Sequence, residues 1–231
     1  MPQAAFILAA LLALHSRGDV LDAALFPCAV LGAPARQSRK DLTCDAVNRT
    51  RALVDQVLAS SYPELEGVEI RIKTFSSRSD YFKSRFGFPQ YFCARIRFLV
   101  FVNPGAFELQ APDAGLRAII AHELAHVAYY KRRNRLRLLG LVRLTSKRFS
   151  AEFERRADLR AIALGYGEGL KEYRRWLYAS VPASKLKEKR RNYFSPEEID
   201  AILSASRARP ELIEYWLNNV PLSLNEILAT K

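Results

Sequence analysis

The stretch that most constrains how this chain folds is His122-Glu123-Leu124-Ala125-His126, set in the run 115–130. Leu116, Ile119 and Ile120 recur at helical spacing and no Pro or Gly follows Gly115, so the run is predicted to be a helix. Residues four apart on a helix lie one above the other on the same face. His122 and His126 therefore offer two imidazole nitrogens to one point. Glu123 falls at the edge of that face, where its carboxylate reaches a water held at that point without being a ligand itself. Two of the chain's 3 histidines fall in this pattern, and the other, His15, lies in the apolar N-terminal stretch. A short pattern of this kind also arises by chance, so its weight depends on a second element.

That element lies downstream. Residues 150–165 read as a helix ended by Gly165 and contain Glu154-Arg155-Arg156-Ala157-Asp158. Glu154 is the candidate third ligand. Glu152 is a rival, but it has Arg156 rather than an acid four residues on. The alternative without a metal is an exposed helix face in which Glu152 and Glu154 pair with Arg155, Arg156 and Arg160.

Taken in order, His122-Glu123-x-x-His126 and Glu154-x-x-x-Asp158 resemble the gluzincin zinc metallopeptidases, a group that includes thermolysin-like, HtpX-like and CaaX-protease-like enzymes. The resemblance covers roughly residues 112–166. It implies a zincin-like metallopeptidase with one Zn2+ per chain, held by His122, His126 and Glu154. Glu123 would be the general base in peptide-bond hydrolysis, and Asp158 would fix the tautomer of one histidine. The chemistry agrees with that set. Catalytic zinc takes three protein ligands, His2Glu among them, and keeps one position for water. It lowers the pKa of that water, whose proton a nearby carboxylate accepts. The chain departs from the group in two ways. It has no room for the membrane-spanning segments that HtpX-like enzymes carry between the motifs, and no His follows His126 to stabilise an oxyanion, as one does in thermolysin-like enzymes. Tyr166, Tyr173, Tyr178 and Tyr193 are left as candidates for that role, Tyr166 and Tyr193 foremost.

The formal charge of +12 and the pI of about 9.8 make the chain strongly basic. Its cations are spread along the sequence, and no helix-turn-helix, ribonucleoprotein or zinc-finger signature accompanies them, so no specific nucleic acid is expected. The expected partner is a protein or peptide substrate, with peripheral contact to an anionic membrane or envelope surface. Residues 4–14 are apolar, too short to span a bilayer and of the size of a signal-peptide hydrophobic region. Residues 1–3 carry no Lys or Arg, however, and a second apolar block follows at 20–31. Residues 1–33 are read as a signal peptide or hydrophobic leader, with an uncleaved anchor or a buried first helix as alternatives. The chain is accordingly expected to be exported, to a periplasm or outside the cell. Cys28, Cys44 and Cys93 form no C-x-x-C; they suit packing, or one disulfide, Cys28–Cys44 or Cys44–Cys93.

The expected fold is α+β, one mostly helical domain over 34–231. It divides into a helix-plus-hairpin lobe (34–110), the metal-site helices (111–166) and a helical tail (167–231). Residues 41–61 are predicted helical, and 68–74 and 95–103 alternate as strands of a small antiparallel sheet packed on the His122 helix. The aromatic and Arg-rich residues 75–94 are a hydrophobic flap or a substrate wall. Residues 136–144 are a core helix with basic flanks or a membrane-surface helix. Residues 170–179 form an aromatic helix and 181–192 a basic, solvated connector. Ser195 and Ser223 open capping boxes. The competing functional reading is a catalytically inactive, zinc-stabilised scaffold at an anionic surface; a latent enzyme, its cleft blocked by 75–94 or by the tail, is a further one.

Overall fold

A computed structural model of the chain describes residues 39–86, 97–132 and 146–230. The leader 1–33, Cys28, Cys93, the segment 136–144 and the second half of the 75–94 segment lie outside these residues. Among the described residues, no helix is long and apolar enough to cross a membrane.

Helix α1 (Arg39–Ser61) is followed by a 3-10 turn (Pro63–Leu65), strands β1 (Ile70–Thr74), β2 (Phe82–Phe86) and β3 (Phe98–Val102), and the short α2 (Gly105–Glu108). The rest is helical: α3 (Asp113–Arg132), α4 (Lys147–Ala161), a π turn (Ile162–Tyr166), α5 (Gly167–Ser180), α6 (Ala183–Asn192), α7 (Pro196–Ala208), α8 (Glu211–Asn218) and α9 (Leu224–Ala229). The α+β expectation holds at this level: a mostly helical chain with one small sheet.

The sheet differs from the expected antiparallel pair. Its order is β1-β3-β2, with β1 and β3 parallel and β2 antiparallel to β3. The cause lies in the connection between β1 and β3, which is long enough for a crossover and contributes a strand of its own. Ile70 sits opposite Phe98 and Thr74 opposite Val102, while Phe82 sits opposite Val102 on the other side. Phe82 and Ser84 point inward and are buried, as strand alternation requires.

Helix α3 is the axis of the molecule. It packs most extensively against α5 and then against α4, β2 and α1. A helix covered on so many sides must be apolar almost all round, and Leu116, Ile120, Leu124 and Val127 are buried together with both histidines. Val54 and Val57 of α1, Val100 and Val102 of β3 and Phe153 of α4 join it in the main core. A second core, built from Leu159, Leu170, Phe194, Ile199, Ile202 and Trp216, ties α4 and α5 to the C-terminal helices.

Three local devices set the remaining course. Gly165, at φ 89°, supplies the left-handed turn that redirects the chain from α4 to α5. The Ser195 capping box forms in full, with the Ser195 hydroxyl on the Glu198 N–H and the Glu198 carboxylate on the Ser195 N–H. At Ser223 half of the box forms: its hydroxyl accepts from Glu226 N–H, but the Glu226 carboxylate takes the Leu222 N–H. The expected solvated connector 181–192 is instead helix α6. Lys189 pins it by a 2.5 Å ion pair to Asp80, a tertiary contact that local sequence does not announce.

Candidate metal centre

His122 and His126 come from the middle of α3 and Glu154 from α4, and their ligand atoms form a compact group. His122 Nε2, His126 Nε2 and Glu154 Oε2 lie 3.2 Å from one another, each to each. Three donors around a tetrahedral zinc at about 2.0–2.1 Å subtend edges of roughly 3.4 Å, so the triangle has the size such an ion requires. It also has the right chemistry, two unsaturated nitrogens and one carboxylate oxygen. His122 and His126 are 1% and 5% exposed, and the Glu154 side chain is 24% exposed.

The tautomer of His122 is fixed from behind. Asp158, one turn after Glu154, accepts from His122 Nδ1–H at 2.7 Å, which leaves Nε2 free to face the triangle. Asp158 is itself fully buried and satisfied by two further donors, the Arg174 guanidinium of α5 at 2.7 Å and the Phe194 N–H at 3.1 Å. Burial alone would raise the Asp158 pKa, but Arg174 and His122 outweigh it and hold the carboxyl below its usual range. Burial would likewise raise Glu154, and the two histidines pull it well below the usual carboxylate range instead.

Glu123 is 4% exposed and lies outside the triangle. Burial raises its carboxyl pKa, against the pull of His122 and His126. The result is a more basic carboxylate beside the ligand group, facing Ser84 of β2. Behind His126, the Phe153 ring stacks at 4.5 Å and 22°, clamping the imidazole between α3 and α4.

Of the rival residues, Glu152 pairs with Arg148 at 2.9 Å, whereas Glu154 meets both histidines. Of the tyrosines, Tyr193 lies beside His122. Its ring lies 5.9 Å from His122 and 4.5 Å from the Arg174 guanidinium, and burial together with Glu154 raises its pKa, keeping the phenol neutral. Tyr166 does not share that placement. Its hydroxyl bonds Ser61 at 2.8 Å and Ser60 at 3.1 Å at the end of α1, because the turn at Gly165 directs it there. Tyr173 is buried against Trp176, and the Tyr178 hydroxyl is buried with no hydrogen-bond partner among the described residues.

Sequence reasoning missed Arg174. A signal existed: Leu170, Tyr173, Arg174 and Leu177 form the buried stripe of α5, and a cation on an apolar stripe needs a buried anion. Cys44 is disulfide-bonded rather than merely packed, and its partner, Cys28 or Cys93, lies outside the described residues. No protein-family model, no curated protein and no solved structure matches the chain, so its functional reading rests on the chemistry of this site.

Proposed function

We propose that the chain is a zinc-dependent peptidase of gluzincin type that hydrolyses peptide bonds in protein or peptide substrates. The observation that carries this reading is the 3.2 Å triangle of His122, His126 and Glu154 with the basic, buried Glu123 beside it. When bound there, zinc supplies a Lewis acid that polarises the scissile carbonyl and acidifies the attacking water. Glu123 takes the proton of that water and returns it to the leaving amine. Asp158 keeps His122 in the tautomer whose Nε2 lone pair faces the triangle, and Arg174 keeps Asp158 ionised. Tyr193, a neutral phenol near His122, is the hydrogen-bond donor for the developing oxyanion.

The Cys44 disulfide supports export, since such bonds persist outside the reducing cytosol. One observation favours the non-catalytic reading, a zinc-stabilised scaffold: His122, Glu123 and His126 are all nearly fully buried, which narrows access to the triangle. The two readings separate in one experiment. Protein purified without chelators is assayed for zinc and for cleavage of a peptide library, alongside Glu123→Gln. One zinc per chain in both proteins, with cleavage only in the wild type, is the expected result. Absence of zinc overturns both readings, and zinc without cleavage leaves the scaffold.

A further inference from the structure

A cavity of about 560 Å3 opens between α3, α4 and α8, with His126 of the candidate metal centre in its lining. Its size suits one small organic ligand. The floor is made by the short side chains of Ala125, Ala128 and Ala157, and the walls by the rings of Tyr129 and Phe153, which meet edge to face at 5.3 Å. Arg132, Arg156 and Arg160 all line it.

These three cations are not equally engaged. Arg132 and Arg160 both reach one oxygen, Glu64 Oε1, at 3.3 Å. Arg156 makes no ion pair among the described residues, and its Nε is buried with no hydrogen-bond partner. That Nε is closed to water and to the cavity alike, so a ligand meets the terminal nitrogens of Arg156, whose charge no carboxylate pairs among the described residues. Against the three guanidiniums the cavity holds two carboxylates, Glu64 and the exposed Glu214, so the lining keeps a positive surplus centred on Arg156. Guanidinium forks match the oxygens of a phosphate in geometry as well as charge, and the aromatic walls accept an apolar or planar body.

We propose that this cavity binds an organic phosphate monoester, its phosphate on Arg156 with Arg132 and Arg160 at the mouth, and its body against Tyr129 and Phe153. The cavity borders the candidate metal centre through His126, but the proposal rests on the arginines and does not depend on the peptidase reading. A second cavity of about 520 Å3 also borders Arg156 and carries Arg148 instead of Arg132 and Arg160, which makes the choice between the two testable.

The test is calorimetric titration of the full chain with phenyl phosphate, inorganic phosphate and phenol at fixed ionic strength. Phenyl phosphate should bind one per chain and tighter than either fragment. Arg156→Gln should weaken it about tenfold or more, as loss of a charge-assisted hydrogen bond does, and Arg156→Lys should recover part of the loss. The double variant Arg132→Ala/Arg160→Ala, altered at the mouth, should weaken binding too and carries the test if Arg156→Gln fails to fold. Arg148→Ala should leave binding unchanged. Unaltered affinity in both Arg156→Gln and the double variant, a loss confined to Arg148→Ala, or phenyl phosphate no tighter than inorganic phosphate would overturn the proposal.

Discussion

At the scale of single residues, the His122–Asp158–Arg174 line governs the candidate centre. Asp158 accepts from both His122 and Arg174 with the same oxygen, each at 2.7 Å, so its charge orients one group and neutralises the other. Asp158→Asn keeps the shape but loses the anion, and metal affinity should fall about 10- to 100-fold, as for other residues that orient a ligand histidine. Competition with a chromophoric chelator measures this, and an unchanged affinity would show that Asp158 only packs. The same line predicts a pH dependence. In the metal-free chain burial would lower the His122 pKa, but the Asp158 carboxylate overrides it and lifts it to about 10 from 6.5. The folded value lies above the unfolded one, so this stabilisation is complete below about pH 6.5 and fades as pH rises towards 10. Zinc needs the unprotonated Nε2 and competes with that proton. Its apparent affinity should therefore weaken roughly tenfold for each pH unit below the folded pKa, and a flat profile between mildly acidic and mildly basic pH would refute the linkage. Much of this line was legible in the sequence. His122, Glu123 and His126 share one helix, and Glu154 and Asp158 share another, so their spacing alone groups them. Arg174 and Tyr193 join through tertiary packing, which spacing does not encode.

At the scale of elements, the contact between α3 and α5 sets how Arg174 meets Asp158. The two helices approach through glycines. A Cβ on Gly169 would sit 2.3 Å from the Ala114 carbonyl oxygen, and one on Gly115 would sit 3.2 Å from the Tyr173 Cα. The first obstacle is backbone and does not yield by a side-chain rotation. Gly169→Ala should cost about 1–3 kcal/mol, the range for overpacking a close contact, despite alanine's better helix propensity. Urea denaturation reads this, and a stabilised variant would mean that α5 can move away from α3 freely. A gentler loss is expected at the N-terminus of α7. Ser195→Ala removes one half of a complete capping box and should cost about 1 kcal/mol in the same assay. Glu198, the other half, also takes the buried Arg155 at 2.9 Å, so Glu198→Ala should cost distinctly more. Elements with their own local signal, such as the Ser195 cap and the alternation of β1, could be read directly. Strand β2 could not, because its inward Phe82 and Ser84 lie inside an aromatic and Arg-rich segment that masks the two-residue period. Helix α6 was hidden for the opposite reason: its run of cations suggests a solvated loop until Lys189 is seen to meet Asp80.

At the scale of the whole molecule, the triangle joins α3, the axis of the main core, to α4, which bridges to the second core. An ion held there clamps the two halves, so metal binding should be a term in global stability and not only in chemistry. A ligand that binds the folded state alone contributes about 4 kcal/mol at a thousandfold excess over its dissociation constant. For a chain of this length each kcal/mol moves the midpoint by about 2–4 °C. Dialysis against a chelator should thus lower the thermal midpoint by on the order of 10 °C, and added zinc should restore it in a concentration-dependent way. Glu123 lies outside the triangle, so Glu123→Gln should show the same drop and the same recovery while lacking hydrolysis. His126→Ala, with one side of the triangle removed, should show a lower midpoint that zinc no longer raises. Scanning calorimetry on the three proteins separates the cases: a midpoint indifferent to chelator in the wild type would mean that the His122, His126 and Glu154 group is held together by its own hydrogen bonds, with no ion at its centre.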